Sequence, residues 1–168
     1  MLKIVRSITE FNTEQLLRVY QQSVFEHASR RYPDLEKVHQ TTRGESDFLS
    51  YLREEFFATK GAFYCVWVES DRYVSALRFE PYKDGLLLQA VETDPAERKR
   101  GYASFLLTEA LNFLSRSDCP TVYSHIAKRN ISSLGLHRKV GFQQLSDTAT
   151  LADGTVSSHY CTMVYHLK

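Results

Sequence analysis

The sequence VETDPAERKRGYA, residues 91–103, connects a buried-strand pattern to a helical pattern through a short basic loop. The strand is predicted over Leu86 to Glu92, and the helix over Tyr102 to Ser115, where apolar residues recur at helical spacing. The first N–H groups of a helix lack intrahelical partners, and the helix dipole favours negative charge at that end. We therefore expect an anion, most simply a phosphate, to bind at the start of this helix.

The composition of this loop suits a phosphate. Gly101 lets the backbone approach a ligand closely, while Arg98, Lys99 and Arg100 supply positive charge. The loop matches neither the dinucleotide fingerprint GxGxxG nor the nucleotide-binding loop GxxxxGKS/T. A solvated basic turn before a helix is the alternative that this segment alone leaves open.

A second segment, NISSLGLHRKVGF at residues 130–142, follows the next predicted strand, Thr121 to Ala127. At about 100° per residue, Asn130, Ser133 and His137 lie on one face of the predicted helix, while Leu136 and Val140 lie on another. A polar stripe on a short helix directly after a strand indicates a surface that faces a ligand.

Together the two segments resemble the cofactor motifs of the GNAT superfamily of N-acetyltransferases. The acetyl-CoA motif of this superfamily reads [Q/R]xxGx[G/A] and lies at the start of a helix. The first segment is similar to it through Arg98, Gly101 and Ala103. The second segment is similar to the other cofactor motif through Asn130, Ser133, Leu136, Gly141 and Phe142. The resemblance implies transfer of an acyl group, normally acetyl from acetyl-CoA, to an amine.

The order of predicted elements agrees with this resemblance over nearly the whole chain. The patterns give β-α-α-β-β-β-α-β-α-β-β, which indicates an α+β fold with a mixed, mostly antiparallel sheet of six to seven strands and helices on both faces. The last two strands, 142–151 and 156–167, are predicted to form a hairpin across Asp153-Gly154. We expect residues 1–168 to form a single N-acetyltransferase-like domain.

The resemblance also implies where acetyl-CoA would bind. The strand that ends near Val91 would separate from its neighbour and pair with the pantetheine arm, the basic loop would hold the pyrophosphate, and Asn130 would bind from the other side. The cofactor-binding residues expected on this basis are Val91, Thr93, Arg98, Lys99, Arg100, Gly101, Tyr102, Ala103, Asn130 and Ser133.

Two residues are candidates for proton transfer. The second motif usually has Tyr at the position of His137, and that Tyr is the proton donor to the thiolate; His137 can take this role or be a surface or supporting histidine. Glu92, at the strand end, can accept the proton of the amine or be a solvated glutamate. Glu80, His125 and Tyr123 are weaker candidates.

Composition excludes several other classes of function. A formal net charge of +1 offers no basic field for nucleic acid, and the longest apolar stretch, Ala62 to Val68, is far short of the about 20 residues that span a membrane. The N-terminal residues lack the apolar run of an export signal, and the odd number of cysteines is a poor disulfide framework, so we expect a cytoplasmic protein. The histidines show no metal-ligand spacing, and no metal site is predicted.

The acceptor is not defined by the sequence. We expect a small-molecule or peptide amine, and we interpret residues 33–44 (PDLEKVHQTTRG), between the first two helices, as a mobile lid over it. The alternatives are a non-catalytic acyl-CoA-binding sensor on the same fold and a structural or protein-interaction domain. The final strands can also form a homodimer, although nothing in their pattern requires one.

Overall fold

The computed structural model describes residues 1–167, which form a seven-stranded sheet, a separate two-stranded ribbon and four α-helices. The helices are α1 (Thr13–Arg31), α2 (Lys37–Tyr51), α3 (Tyr102–Leu114) and α4 (Ile131–Val140). The strands are β1 (Leu2–Val5), β2 (Phe63–Glu69), β3 (Arg72–Tyr82), β4 (Gly85–Thr93), β5 (Thr121–Ala127), β6 (Gln143–Ser146), β7 (Ala149–Thr150), β8 (Val156–Ser157) and β9 (Tyr160–His166).

The main sheet has the order β1-β2-β3-β4-β5-β9-β6, and β4–β5 is its parallel pair while the other neighbours are antiparallel. Alternate residues of the strands contribute to two cores. One core joins the sheet to α3 and contains Leu77, Phe79 and Leu107, and the other joins it to α1 and contains Leu16 and Tyr64. This architecture confirms the predicted α+β class, with a mostly antiparallel sheet covered by helices on both faces.

The second helix begins earlier than its sequence suggested. It runs from Lys37, so most of the segment 33–44 is helical and is not a connection between two helices. Gly44 lies inside α2 where this helix crosses α1, and a Cβ added to Gly44 would lie 2.7 Å from the Cβ of Ala28. Glycine disfavours a helix locally, but here it allows two helices to pack closely, and this packing outweighs the local preference.

The predicted C-terminal hairpin is divided in the structure. β6 pairs with β9, while β7 and β8 form their own ribbon and Asp153-Gly154 lies in the turn between them. The register between β6 and β9 shifts between Gln144 and Ser146, and this irregularity precedes the ribbon.

The parallel pair β4–β5 is short, and its early end opens the sheet. The two strands pair from Leu86 and Val122 to Leu88 and Ser124, although β4 continues to Thr93 and β5 to Ala127. Their carboxyl-terminal halves therefore separate, and their backbone groups face the gap between them. This gap lies directly before the loop that leads into α3.

Candidate active site

The gap between β4 and β5 continues into a groove of about 1070 Å³, walled by β4, β5, the loop before α3, and α4. The groove brings together residues that are far apart in the sequence. The predicted site residues that line it are Val91, Glu92, Thr93, Arg98, Lys99, Gly101, Tyr102, Ala103, Asn130, Ser133 and His137. Arg100 is not among the lining residues, and its guanidinium pairs with Glu97 at 2.9 Å.

The loop before α3 has the backbone conformation of an anion site. Gly101 is the N-cap of α3 with φ of 84°, and Lys99 also has a positive φ of 64°. Left-handed residues that alternate with right-handed ones can turn backbone N–H groups toward one point, and here that point would lie in front of the helix N-terminus. A Cβ at Gly101 would make only ordinary contact, at 3.4 Å, with the ring of Phe105. The glycine is therefore needed for its φ rather than for space within the protein.

Buried carboxylates hold the loop in place. Asp94 is 2% exposed, accepts a hydrogen bond from the N–H of Ala96 at 3.0 Å, and pairs with the Nε of Arg18 on α1 at 3.0 Å. Glu97, also buried, pairs with both Arg72 and Arg100. The loop is thus tied to α1 and to β3 before any ligand binds.

The positive charge of the loop is partly compensated within the protein. Arg98 donates a hydrogen bond to the Oε1 of Gln22 at 2.6 Å and lies 3.8 Å from the carboxylate of Glu92, and Arg100 pairs with Glu97. Lys99 lines the groove. Two of the three cationic side chains thus already have partners in the protein, and the backbone N–H groups at the start of α3 are further donors available to an anion.

Asn130 starts the helix that forms the opposite wall. Its Oδ1 accepts a hydrogen bond from the N–H of Ser133 at 3.1 Å, which makes Asn130 the N-cap of α4. The cap uses one lone pair of the side-chain oxygen and neither hydrogen of the side-chain NH₂, so the NH₂ can donate to a ligand while the cap is kept.

His137 is enclosed at the inner side of α4. It is 1% exposed and packs edge-on against Phe142, with ring centroids 4.9 Å apart. Its Nδ1 lies 2.8 Å from the carbonyl oxygen of Ser133, which can only accept, so Nδ1 carries the hydrogen. Burial lowers the pKa of His137, and the bond to Ser133 only partly opposes this. Nε2 has no partner among residues 1–167, so the neutral ring presents a buried lone pair.

Glu92 is a partly buried carboxylate on the wall of the groove. Its side chain is 28% exposed, and burial raises the pKa of its carboxyl, an effect that Arg98 opposes. Its backbone carbonyl accepts a hydrogen bond from the Oγ of buried Ser75 at 2.6 Å, which fixes the strand at this point.

The structure adds groove residues that the sequence did not indicate. Ser23 and Glu26 from α1 line the groove near Glu92, and Gln89 and Tyr82 from the sheet line it as well. Two of the weaker candidates, Glu80 and His125, also line the groove, and His125 packs against Tyr82 with ring centroids 5.3 Å apart. No motif marks the new residues, because they belong to elements that only the folded chain brings together.

Residues 1–167 contain no group of three or more His, Cys, Asp or Glu placed to hold a metal ion. Within the same residues, no helix has both the length and the apolar character needed to cross a membrane.

Solved structures with the same fold include N-acetyltransferases. PaiA N-acetyltransferase from Thermoplasma acidophilum, solved in complex with coenzyme A, is 10% identical with a TM-score of 0.65, and the match covers 99% of each chain. The ribosomal-protein-S18-alanine N-acetyltransferase of Escherichia coli is 15% identical with a TM-score of 0.61, covering 100% of this chain and 95% of that one. Aminoglycoside 6′-acetyltransferase type Ii is 13% identical with a TM-score of 0.66, covering 100% and 97%.

At these low identities the structural similarity establishes the fold alone. No curated protein matches the sequence. A sequence profile described as the acetyltransferase (GNAT) family matches residues 22–142, which include the basic loop, the separated strands and α4. Because this match spans well over half of the chain, the protein belongs to the acetyltransferase (GNAT) family.

Proposed function

We propose that the protein transfers an acetyl group from acetyl-CoA to a primary amine of a small molecule or peptide, by direct attack of the amine. The separation of β4 and β5 carries this proposal. It leaves the edge of β4 that faces β5 unpaired in its carboxyl-terminal half. One groove therefore combines a candidate anion site at the N-terminus of α3, a free strand edge and a candidate base, Glu92.

The residues of the groove fit acetyl-CoA. The α3 N-terminus with residues 98–103 suits a pyrophosphate, the free edge of β4 at Val91 and Thr93 suits the amides of pantetheine, and the NH₂ of Asn130 can donate from α4 beside Ser133. The coenzyme A bound to the PaiA enzyme supports this assignment. When bound, acetyl-CoA would supply an activated acyl thioester.

Glu92 is proposed to accept the proton of the amine, directly or through water. An amine must lose a proton to attack, and a carboxylate with a raised pKa is better matched to this transfer than one fully exposed to water. Arg98 lies beside Glu92 and favours its charged form, so the two residues together set the pH at which the base becomes available.

His137 is proposed as the proton donor to the leaving sulfur. Only the cationic ring can donate a proton from Nε2. Because burial lowers the pKa of His137, this form is populated at lower pH than in an ordinary histidine. His137→Phe keeps an aromatic ring against Phe142 and removes Nε2. We expect reduced turnover with a changed pH profile, and unchanged turnover across the pH range would remove His137 from the mechanism.

A thiol-release screen tests the proposed function. Small amines and peptides are incubated with the protein and acetyl-CoA, and free CoA thiol is measured against a sample without protein. Acetyl-CoA alone is expected to raise the melting temperature, since a ligand that binds only the folded state stabilises it. No shift at saturating acetyl-CoA would contradict the proposal.

One observation favours a second candidate, a non-catalytic acyl-CoA sensor. His137 replaces the usual tyrosine and is buried with a lowered pKa, so the usual donor is missing. A sensor would show the thermal shift with acetyl-CoA but would release no thiol with any amine. We propose a cytoplasmic location for either function, in keeping with the free thiols of Cys65, Cys119 and Cys161.

A further inference from the structure

We propose that Tyr20 on α1 is a positioning residue for acyl transfer, because its hydroxyl holds a bulge in β4 that turns Glu92 into the groove. The inference rests on the proposed function for its catalytic consequence. The hydroxyl donates a hydrogen bond to the carbonyl oxygen of Ala90 at 2.7 Å, and Tyr20 is 3% exposed.

The bulge lies directly after the separation of β4 from β5. Gln89 pairs with Arg78 and Glu92 pairs with Ala76, so Ala90 and Val91 together stand opposite one residue of β3. Ala90 has φ of 52°, a left-handed conformation that a residue with a Cβ adopts only when its surroundings hold it. The hydrogen bond from Tyr20 is a contact that restrains it.

The bulge determines which face of the sheet receives the side chain of Glu92. In a regular strand, residues 89, 91 and 93 share a face and residue 92 lies on the opposite one. The extra residue changes this alternation, so Glu92 shares the face of Gln89 and Ala76, toward α1. Without the bulge, the proposed base would point away from Ser23 and Glu26, which line the groove from α1.

Tyr20 is suited to this role by its surroundings. It packs against Tyr64, with ring centroids 6.3 Å apart, and against Phe48 at 5.2 Å. Burial keeps the pKa of Tyr20 well above its ordinary value, so the hydroxyl remains a donor throughout the working range of pH. The helix that supplies Tyr20 also supplies Arg18, which pairs with Asp94 at the end of the same strand.

The same aromatic cluster contains a matched control. The hydroxyl of Tyr64 is buried beside the side chains of Tyr20 and Arg78, and it forms no hydrogen bond to β4. Tyr20→Phe and Tyr64→Phe therefore each remove one buried hydroxyl from neighbouring rings, but only the first removes a bond to the bulge.

Amide hydrogen exchange of residues 89–93 in the free protein tests the hold on the bulge. We expect Tyr20→Phe to raise exchange there about tenfold, in keeping with the loss of one hydrogen bond, and Tyr64→Phe to leave it within about twofold. Turnover should fall about tenfold or more in Tyr20→Phe, while affinity for CoA, which lacks the acyl group, stays within about twofold of the wild type. Equal effects of the two substitutions, or none from Tyr20→Phe, would overturn the proposal.

A second variant covers the case in which Tyr20→Phe does not fold. Glycine adopts the left-handed conformation freely, so adding Ala90→Gly should restore folding and part of the lost protection. If the double variant recovered neither folding nor protection from exchange, the role given to Tyr20 would be contradicted.

The exchange measurement needs no ligand, so its outcome is separate from that of the activity screen. A wild type that acetylates no amine would contradict the proposed function. Unchanged exchange in Tyr20→Phe would contradict this inference.

Discussion

Replacing Gly101 with alanine is the most direct perturbation of the anion site. Gly101 has φ of 84° at the N-cap of α3, a conformation in which the N–H groups of the loop can converge on an anion. Alanine in the left-handed region costs about 1–2 kcal/mol. A Cβ would lie 3.4 Å from the ring of Phe105, which is ordinary contact and adds no steric cost.

Two measurable quantities should change by amounts that follow from this geometry. For a chain of 168 residues, a loss of about 1–2 kcal/mol lowers the melting temperature by roughly 2–8 °C. If the chain instead relieves the strain by changing the loop, it misdirects donors whose charge-assisted bonds are worth about 1.5–3 kcal/mol. Acetyl-CoA affinity would then fall by about 10- to 100-fold.

Gly135→Ala provides the matched control for a thermal melt and a calorimetric titration with acetyl-CoA. Gly135 is an exposed residue inside α4, and an added Cβ there would meet no described atom within 4 Å. Alanine should therefore stabilise the protein by about 0.5–1 kcal/mol and leave acetyl-CoA affinity unchanged. If Gly101→Ala behaved like Gly135→Ala in both measurements, the assignment of residues 98–103 as the pyrophosphate site would be refuted.

Substitutions at three further positions test other parts of the site and fold. Glu92→Gln should lower turnover by about 100-fold or more. In the wild type, activity should rise with pH, and the midpoint of this rise should lie above the ordinary pKa range of a glutamate because burial raises the pKa of Glu92. The variant should lack this rise. Burial disfavours the charged carboxylate, so the same variant should melt no lower than wild type at pH 8. Asn130→Ala should lower the free energy of unfolding by about 1 kcal/mol, measured in an unfolding titration, because the cap to Ser133 is lost. Asn130→Asp keeps the cap and should weaken acetyl-CoA binding without lowering the free energy of unfolding. Gly44→Ala should destabilise by about 1–3 kcal/mol, measured in urea, since its Cβ would lie 2.7 Å from that of Ala28; an unchanged midpoint would contradict the close helix crossing.

The candidate site was predictable to the extent that its groups are neighbours in the sequence. Residues 98–103 and the helix that begins at Asn130 were identified from local spacing, and both line the groove. The hydrogen bond from Arg98 to Gln22 could not be anticipated, because Gln22 is contributed by α1. The buried environment of His137 was equally invisible, since it depends on the packing of α4 against the sheet.

Local sequence was sufficient for the order of strands and helices, the class of fold and the two motifs that bind acetyl-CoA in this family. These features depend on periodicity, caps and turns, which are encoded over a few residues. Contacts between distant residues were needed for the rest: the early start of α2, the separation of β4 from β5, and the bulge at Ala90 held by Tyr20, 70 residues away. A left-handed alanine or a buried glycine in a helix is unfavourable by local preference, and each exists here because packing or a hydrogen bond from another element offsets that cost.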